Sequence, residues 1–238
     1  MRGLRWRTTV SAFEELDYRP TPMGPLTLRR RWVAAAGRDV HEVLLGDEHL
    51  MSSLFVEGER ALSRLGLEQV EGGALQVLVG GLGLGHTAQA ALEDARVARL
   101  EVVDALAPVI EWHREGLTPL GTLLHDEPRC RLIHADFFTF VADSSGVAWD
   151  AVLLDIDHAP ARWLAPSHAS FYSAAALRKL KARLRPGGVF AMWSDEAEPG
   201  PFLNVLREAF ATADAQSVTF PNPLTGDVSA CTIYRAKA

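Results

Sequence analysis

Four short segments carry side chains able to do chemistry, and each stands where an apolar run ends. In Val77-Leu-Val-Gly-Gly-Leu-Gly-Leu-Gly-His-Thr87, residues Gly80, Gly81, Gly83 and Gly85 lie between a strand pattern and a helix pattern. Glycines there permit a tight turn and close approach of a nucleoside to the backbone. A strand-to-helix turn without a ligand is the plainer reading. About twenty residues on, Leu100-Glu-Val-Val103 ends in Asp104, where an acid can accept hydrogen bonds from both ribose hydroxyls. The competing reading is an acid that caps the next helix, and Glu101 points to the other side of the strand. His134-Ala-Asp136-Phe137-Phe138 offers a carboxylate for an exocyclic amino group and aromatics for an apolar pocket. A capping Asp136 followed by core aromatics fits equally well. Finally, Leu153-Leu-Asp155-Ile-Asp157-His158 sets two acids and an imidazole at a strand end, where open α/β sheets place their ligands.

These strand ends need a scaffold that brings them together. Residues 75–79, 100–103, 130–135, 151–154 and 189–193 read as buried strands, and residues 88–98, 108–114 and 174–184 as helices. Pro186-Gly187-Gly188 stops the last helix. Apolar strands separated by helices predict an α/β fold with a doubly wound, mostly parallel, Rossmann-like sheet. Residues 217–220 and 229–234 read as two closing strands, and Asp143-Ser-Ser-Gly146 as a loop. Before residue 70 the pattern differs: short apolar runs separated by turn signals predict hairpins, followed by a helix over 57–67. The expected organisation is a small β-rich cap over 1–70 and a nucleoside-binding catalytic domain over 71–238.

Composition narrows the classes. The 238 residues include 24 Lys plus Arg and 30 Asp plus Glu, a formal charge of 24 − 30 = −6, which argues against a dedicated nucleic-acid binder. No apolar run reaches membrane-span length, and Met1-Arg-Gly-Leu-Arg-Trp-Arg7 lacks a signal-peptide core, so a cytoplasmic protein is expected. Cys130 and Cys231 belong to no Cys/His cluster, and His86, His113, His125 and His158 lack ligand spacing, so no metal is expected. Arg29-Arg-Arg31 reads as a solvated strand face. Most of the six tryptophans read as core, with Trp163 and Trp193 as candidate walls of an acceptor pocket.

Together the four strand ends resemble those of the Rossmann-like AdoMet-dependent methyltransferase superfamily, and within it the spermidine synthase (polyamine aminopropyltransferase) branch. Gly80-Gly-Leu-Gly-Leu-Gly85 stands at that branch's glycine loop, and Val103-Asp-Ala-Leu-Ala-Pro-Val-Ile-Glu111 resembles its ribose-binding strand and helix. Ala135-Asp136-Phe137 resembles its adenine-contacting segment. Trp149-Asp-Ala-Val-Leu-Leu-Asp155 resembles its catalytic strand, with Phe171-Tyr172 and Leu184-Arg-Pro-Gly-Gly188 after it. The chain departs from the branch at four places. Gly83 replaces an aspartate, and Asp155-Ile-Asp-His158 replaces Asp-Ser-Ser-Asp. No Tyr-His-Glu cluster stands near Glu57-Gly-Glu-Arg-Ala-Leu62, and Trp193 replaces a glutamine.

The resemblance implies a donor substrate, S-adenosylmethionine or its decarboxylated form, held by Gly80, Gly81, Gly83, Gly85, Asp104, Asp136 and Phe137. It implies a small-molecule amine acceptor, with Asp155 as base and Asp157 or His158 orienting the amine, and a homodimer. No nucleic-acid or membrane partner is expected. Gly83 favours intact S-adenosylmethionine, because a bare ammonium tail wants an acid nearby; the β-rich cap favours the aminopropyl branch. A methyltransferase acting on another acceptor and a non-catalytic nucleoside-binding relative stay open. An NAD-dependent dehydrogenase fits the glycine loop but not the Asp136 and Asp155 segments.

Overall fold

The computed structural model describes residues 13–144, 146 and 148–238. Residues 1–7, which bear on the signal-peptide expectation, and Ser145 of the expected loop lie outside the described residues. Contacts divide the chain after Leu54 into two compact units. In the first, β1 (Phe13–Thr21), β2 (Gly24–Val33), β3 (Arg38–Leu45) and β4 (Glu48–Ser52) form an antiparallel meander in that order. Gly37 and Gly46 take φ of +62° and +59° at two of its turns, a conformation that glycine adopts at no steric cost. The arginine run is not a plain solvated face. Arg29 Nε and Arg31 Nη2 each lie 2.7 Å from the Glu42 carboxylate, which is 2% exposed, and Arg30 pairs with Glu14. Burial works against the Glu42 charge, but hydrogen bonds from Arg31 and Arg29 outweigh it and hold the carboxyl low.

The second unit begins at Phe55 and includes α1 (Glu57–Glu68), so the boundary lies at 54/55 rather than at 70. The reason is burial: Ala61, Leu62, Leu65 and Gly66 face inward, and Gly66 lies so near β-strand side chains that a Cβ there would stand 2.7 Å from Leu153. Next come β5 (Leu75–Gly80), α2 (His86–Glu93), β6 (Val97–Asp104), α3 (Ala107–Arg114) and the single turn α4 (Leu123–Asp126). They are followed by β7 (Cys130–His134), α5 (Phe137–Asp143), β8 (Trp149–Leu154), a 3₁₀ segment (Pro166–Tyr172) and α6 (Ala174–Lys181). β9 (Leu184–Ser194), α7 (Phe202–Ala209), β10 (Thr212–Pro221) and β11 (Val228–Lys237) complete the unit.

Its sheet has the order β10-β11-β9-β8-β5-β6-β7, with the five strands β9 to β7 parallel and the two tail strands antiparallel. This is the doubly wound α/β sheet expected. β5 and β8 are almost wholly buried along their length, as strands covered on both faces must be. Chain order reverses between β5 and β8, and the carboxyl edge at such a switch point opens a crevice.

Element limits differ from expectation in four places. α2 stops at Glu93 instead of continuing to 98, because Asp94 turns the chain and binds Arg96 at 2.6 Å just before β6. α6 stops at Lys181, and β9 already begins at Leu184, running through Pro186-Gly187-Gly188 with a shifted register. The tail strands are longer than expected, and α7 went unread although Leu203, Leu206 and Phe210 follow helical spacing. On one face of the sheet Phe137, Phe171, Tyr172, Phe190, Phe202 and Tyr234 build an aromatic core. α1 and α2 cover the other.

Candidate active site

Register places the candidate groups in one row. Gly80 aligns with Val103 on one side and Leu154 on the other, and Leu154 aligns with Met192. One residue further on, Asp104, Gly81, Asp155 and Trp193 therefore stand side by side along the carboxyl edge. Parallel strands point registered side chains to the same face. Leu154 and Met192 enter the aromatic core, so Asp155 and Trp193 turn to the α1–α2 face.

The glycines answer first to the protein's own packing. A Cβ on Gly81 (φ +94°) would lie 2.0 Å from the Asp155 carbonyl oxygen, and one on Gly80 would lie 2.6 Å from the Phe137 ring. On Gly85 (φ +91°) it would meet Leu124 at 2.6 Å and His113 at 2.8 Å. Gly83 (φ +48°) carries the carbonyl that lies 2.9 Å from His113 Nε2. Phe137 is thus a floor beneath the loop, 1% exposed, rather than an open pocket wall.

Asp104 is held by that loop. Its carboxylate accepts the Leu82 N–H at 2.9 Å and the Leu106 N–H at 2.8 Å, with a further bond from the Gly83 N–H. Burial raises its pKa above the usual carboxylate range against these bonds. A carboxylate has about four lone-pair positions, so three donors leave one for a ribose hydroxyl. Asp136 is exposed and caps α5, accepting the Thr139 N–H at 2.8 Å through one oxygen.

The third acid is differently placed. Asp155 Oδ2 accepts the Thr87 hydroxyl at 2.6 Å. Ser63 in turn donates to the Thr87 carbonyl at 2.7 Å, tying α1 to α2. Glu59 lies four residues before Ser63, on the same side of α1, and feels the Asp155 charge. Burial, then the Asp155 charge, push Glu59 up to about 8; burial pushes Asp155 up to about 6 against the Thr87 bond. The Asp155 charge thus adds to burial in resisting ionisation of Glu59. Sequence reasoning noted the Glu57–Leu62 segment only for what it lacks and missed Glu59 and Thr87. Nothing local marks Glu59, because its partner stands far along the chain.

Asp157 serves the fold. It is 1% exposed and accepts the Leu164 N–H at 2.8 Å and the Tyr172 hydroxyl at 2.6 Å, with His168 Nδ1 at 2.8 Å. These bonds anchor the whole 158–172 segment. His158 is half-buried, and its carbonyl accepts the Asp195 N–H at 2.9 Å. Trp163 is 43% exposed, its indole N–H bound to the Pro160 carbonyl. Among the described residues no group of three His, Cys, Asp or Glu side chains could hold a metal ion, and no helix is long and apolar enough to cross a membrane.

No family model matches the chain. It is 30% identical over 159 residues to polyamine aminopropyltransferase 2 of Pseudomonas aeruginosa, a match covering 63% of this chain and 43% of that protein. The polyamine aminopropyltransferase of Prochlorococcus marinus is 30% identical over 58% of this chain and 49% of its own length. That of a Synechococcus species is 25% identical over 91% of this chain and 70% of its own. The chain thus spans about half the length of the first two relatives. Two solved structures share the fold at a TM-score of 0.71 and 15% identity, covering 94% of this chain and 72% of theirs. They are a spermidine synthase in complex with the transition-state analogue AdoDATO and the spermidine synthase of Thermotoga maritima. The chain is thus similar in sequence to polyamine aminopropyltransferases and in fold to spermidine synthases.

Proposed function

We propose that this spermidine synthase-like chain is a transferase that moves an aminopropyl group from decarboxylated S-adenosylmethionine to a small amine. The observation that carries the reading is the row Asp104, Gly81, Asp155 along one carboxyl edge, with the Asp155 carboxylate held by the Thr87 hydroxyl. On the nucleoside side, Asp104 takes the ribose through its remaining lone pair, and the exposed Asp136 takes the adenine amino group beyond the loop at Gly80, Gly81, Gly83 and Gly85. On the acceptor side, an amine arrives as an ammonium and must lose a proton before its lone pair can attack. A carboxylate whose pKa lies near neutrality is suited to take that proton, and burial holds Asp155 at about 6. The nitrogen then bonds to the carbon beside the sulfonium, the carbon–sulfur bond breaks, and its electron pair stays on sulfur as a neutral thioether. The leaving group is already activated, so positioning and proton removal supply the acceleration. Asp157 keeps the 158–172 segment in place rather than touching the amine.

Gly83 favours a second reading, methyl transfer from intact S-adenosylmethionine, since the loop holds no acid for an ammonium tail. Incubation with both donors and putrescine distinguishes the transfers by their nucleoside product. Aminopropyl transfer releases 5′-methylthioadenosine, and methyl transfer releases S-adenosylhomocysteine. Release of the first is expected. Release of only the second would replace the reading, and binding of neither nucleoside in calorimetry would end it.

A further inference from the structure

Trp193 stands beside Asp155 in register, one strand spacing of about 4.8 Å away. Its indole rests on the first turn of α1 at Gly58. A Cβ on Gly58 would lie 2.4 Å from the indole Nε1 and 2.9 Å from Cδ1, so no other residue type leaves room for the ring in this position. The same Cβ would lie 3.1 Å from Cys231 Sγ, which shares a hydrogen bond with Trp193. Burial, and then the charges of Glu59, Asp155 and Glu57, push the Cys231 thiol up to about 11 against the Trp193 hydrogen bond. The indole is half-buried against the first turn of α1.

We propose that Trp193, seated on Gly58 and pinned by Cys231, limits the size of the acceptor. This rests on the acceptor-side reading of Asp155 and Glu59. The site takes a compact amine: its ammonium sits at the two carboxyls, and its carbon body lies against the indole, whose face also attracts a cation. A longer polyamine meets the ring where its next ammonium would need a carboxylate. A rigid wall of this kind discriminates by exclusion, since a second charge brought against an apolar ring loses its water without gaining a partner.

The test is calorimetry of 1,3-diaminopropane, putrescine and spermidine in the presence of saturating 5′-methylthioadenosine, for the wild type, Trp193→Ala and Trp193→Phe. The wild type should bind the short diamines and exclude spermidine. Trp193→Ala should raise the ratio of spermidine to diaminopropane affinity at least tenfold, with Trp193→Phe between. Gly58→Ala, which pushes the indole into the site, should weaken the short diamine, and Gly58→Ala/Trp193→Ala should restore it. A purely supporting role for the ring would not move the affinity ratio. If the ratio is the same in all three proteins, or the wild type already prefers spermidine, the size limit is overturned while the transfer reading stands. If 5′-methylthioadenosine binds but no amine does, the acceptor-side reading fails and takes the size limit with it.

Discussion

The two halves of the carboxyl edge treat their acids in opposite ways. On the β5–β6–β7 side, Asp104 and Asp136 are met by backbone N–H groups a few residues or one loop away. On the β8–β9 side, Asp155 accepts the Thr87 hydroxyl, and its charge acts on a second carboxyl, Glu59 on α1. In the first arrangement, backbone N–H groups offset part of the cost of burying the Asp104 charge. The second leaves charge unbalanced, which is what a site for an arriving cation requires. Asp157, two residues from Asp155, shows how little the sequence distance says: it is 1% exposed and its hydrogen bonds go to Leu164, His168 and Tyr172 of the fold itself.

The largest effect should come from the unbalanced side. Asp155→Asn keeps the shape and the Thr87 contact but removes the base, so turnover should fall by about 10²–10⁴, with nucleoside affinity and Tm near wild type. Early melting with activity per folded molecule intact would make Asp155 a structural group. Asp157→Ala should do the reverse. It strands the Tyr172 hydroxyl, the Leu164 N–H and His168 in the interior, costing roughly 3–5 kcal/mol and lowering Tm by about 10 °C. A variant that melts normally yet turns over slowly would return Asp157 to the chemistry.

The balanced side should respond in binding. Asp104→Ala should weaken 5′-methylthioadenosine about ten- to a hundredfold, or 1.5–3 kcal/mol, and unchanged affinity in calorimetry would remove Asp104 from the ribose site. The smallest effect is a pH dependence. Glu59 and Asp155 have folded-state pKa values raised above those of an unfolded chain, so the folded protein binds more protons between about pH 4.5 and 8. Stability is therefore greatest at the acid end of that window and falls as pH rises through it. Glu59→Gln should raise Tm by about 2–4 °C at pH 8 and leave it unchanged near pH 5. An equal shift at both would mean that the two carboxyls do not sense each other.

The same contrast explains what the sequence reveals. Asp104 is readable because a glycine loop, a strand and an acid recur within one βαβ unit, and the alternation of apolar runs with helices marks the parallel sheet. The competing reading of Asp136 as a cap was also readable, and the cap exists. Glu59 was not readable: its approach to Asp155 depends on Ser63 and Thr87 joining two helices. Gly58 gives no signal until Trp193 lies over it. The domain boundary slipped for a similar reason, because the helical pattern over 57–67 does not say which sheet the helix covers. α7 was passed over because its apolar positions sit in a short segment flanked by Pro201 and Ala211 without a side-chain cap.

The proposed transfer requires Asp155 and Glu59 to receive the acceptor's ammonium. Calorimetry of putrescine binding at pH 7, in buffers of differing ionisation enthalpy and with 5′-methylthioadenosine present, reads the protons exchanged. The wild type should release about one proton as the ammonium displaces it from the two carboxyls, and Glu59→Gln should release much less. Binding without proton release in the wild type, or with the same release in Glu59→Gln, would contradict it.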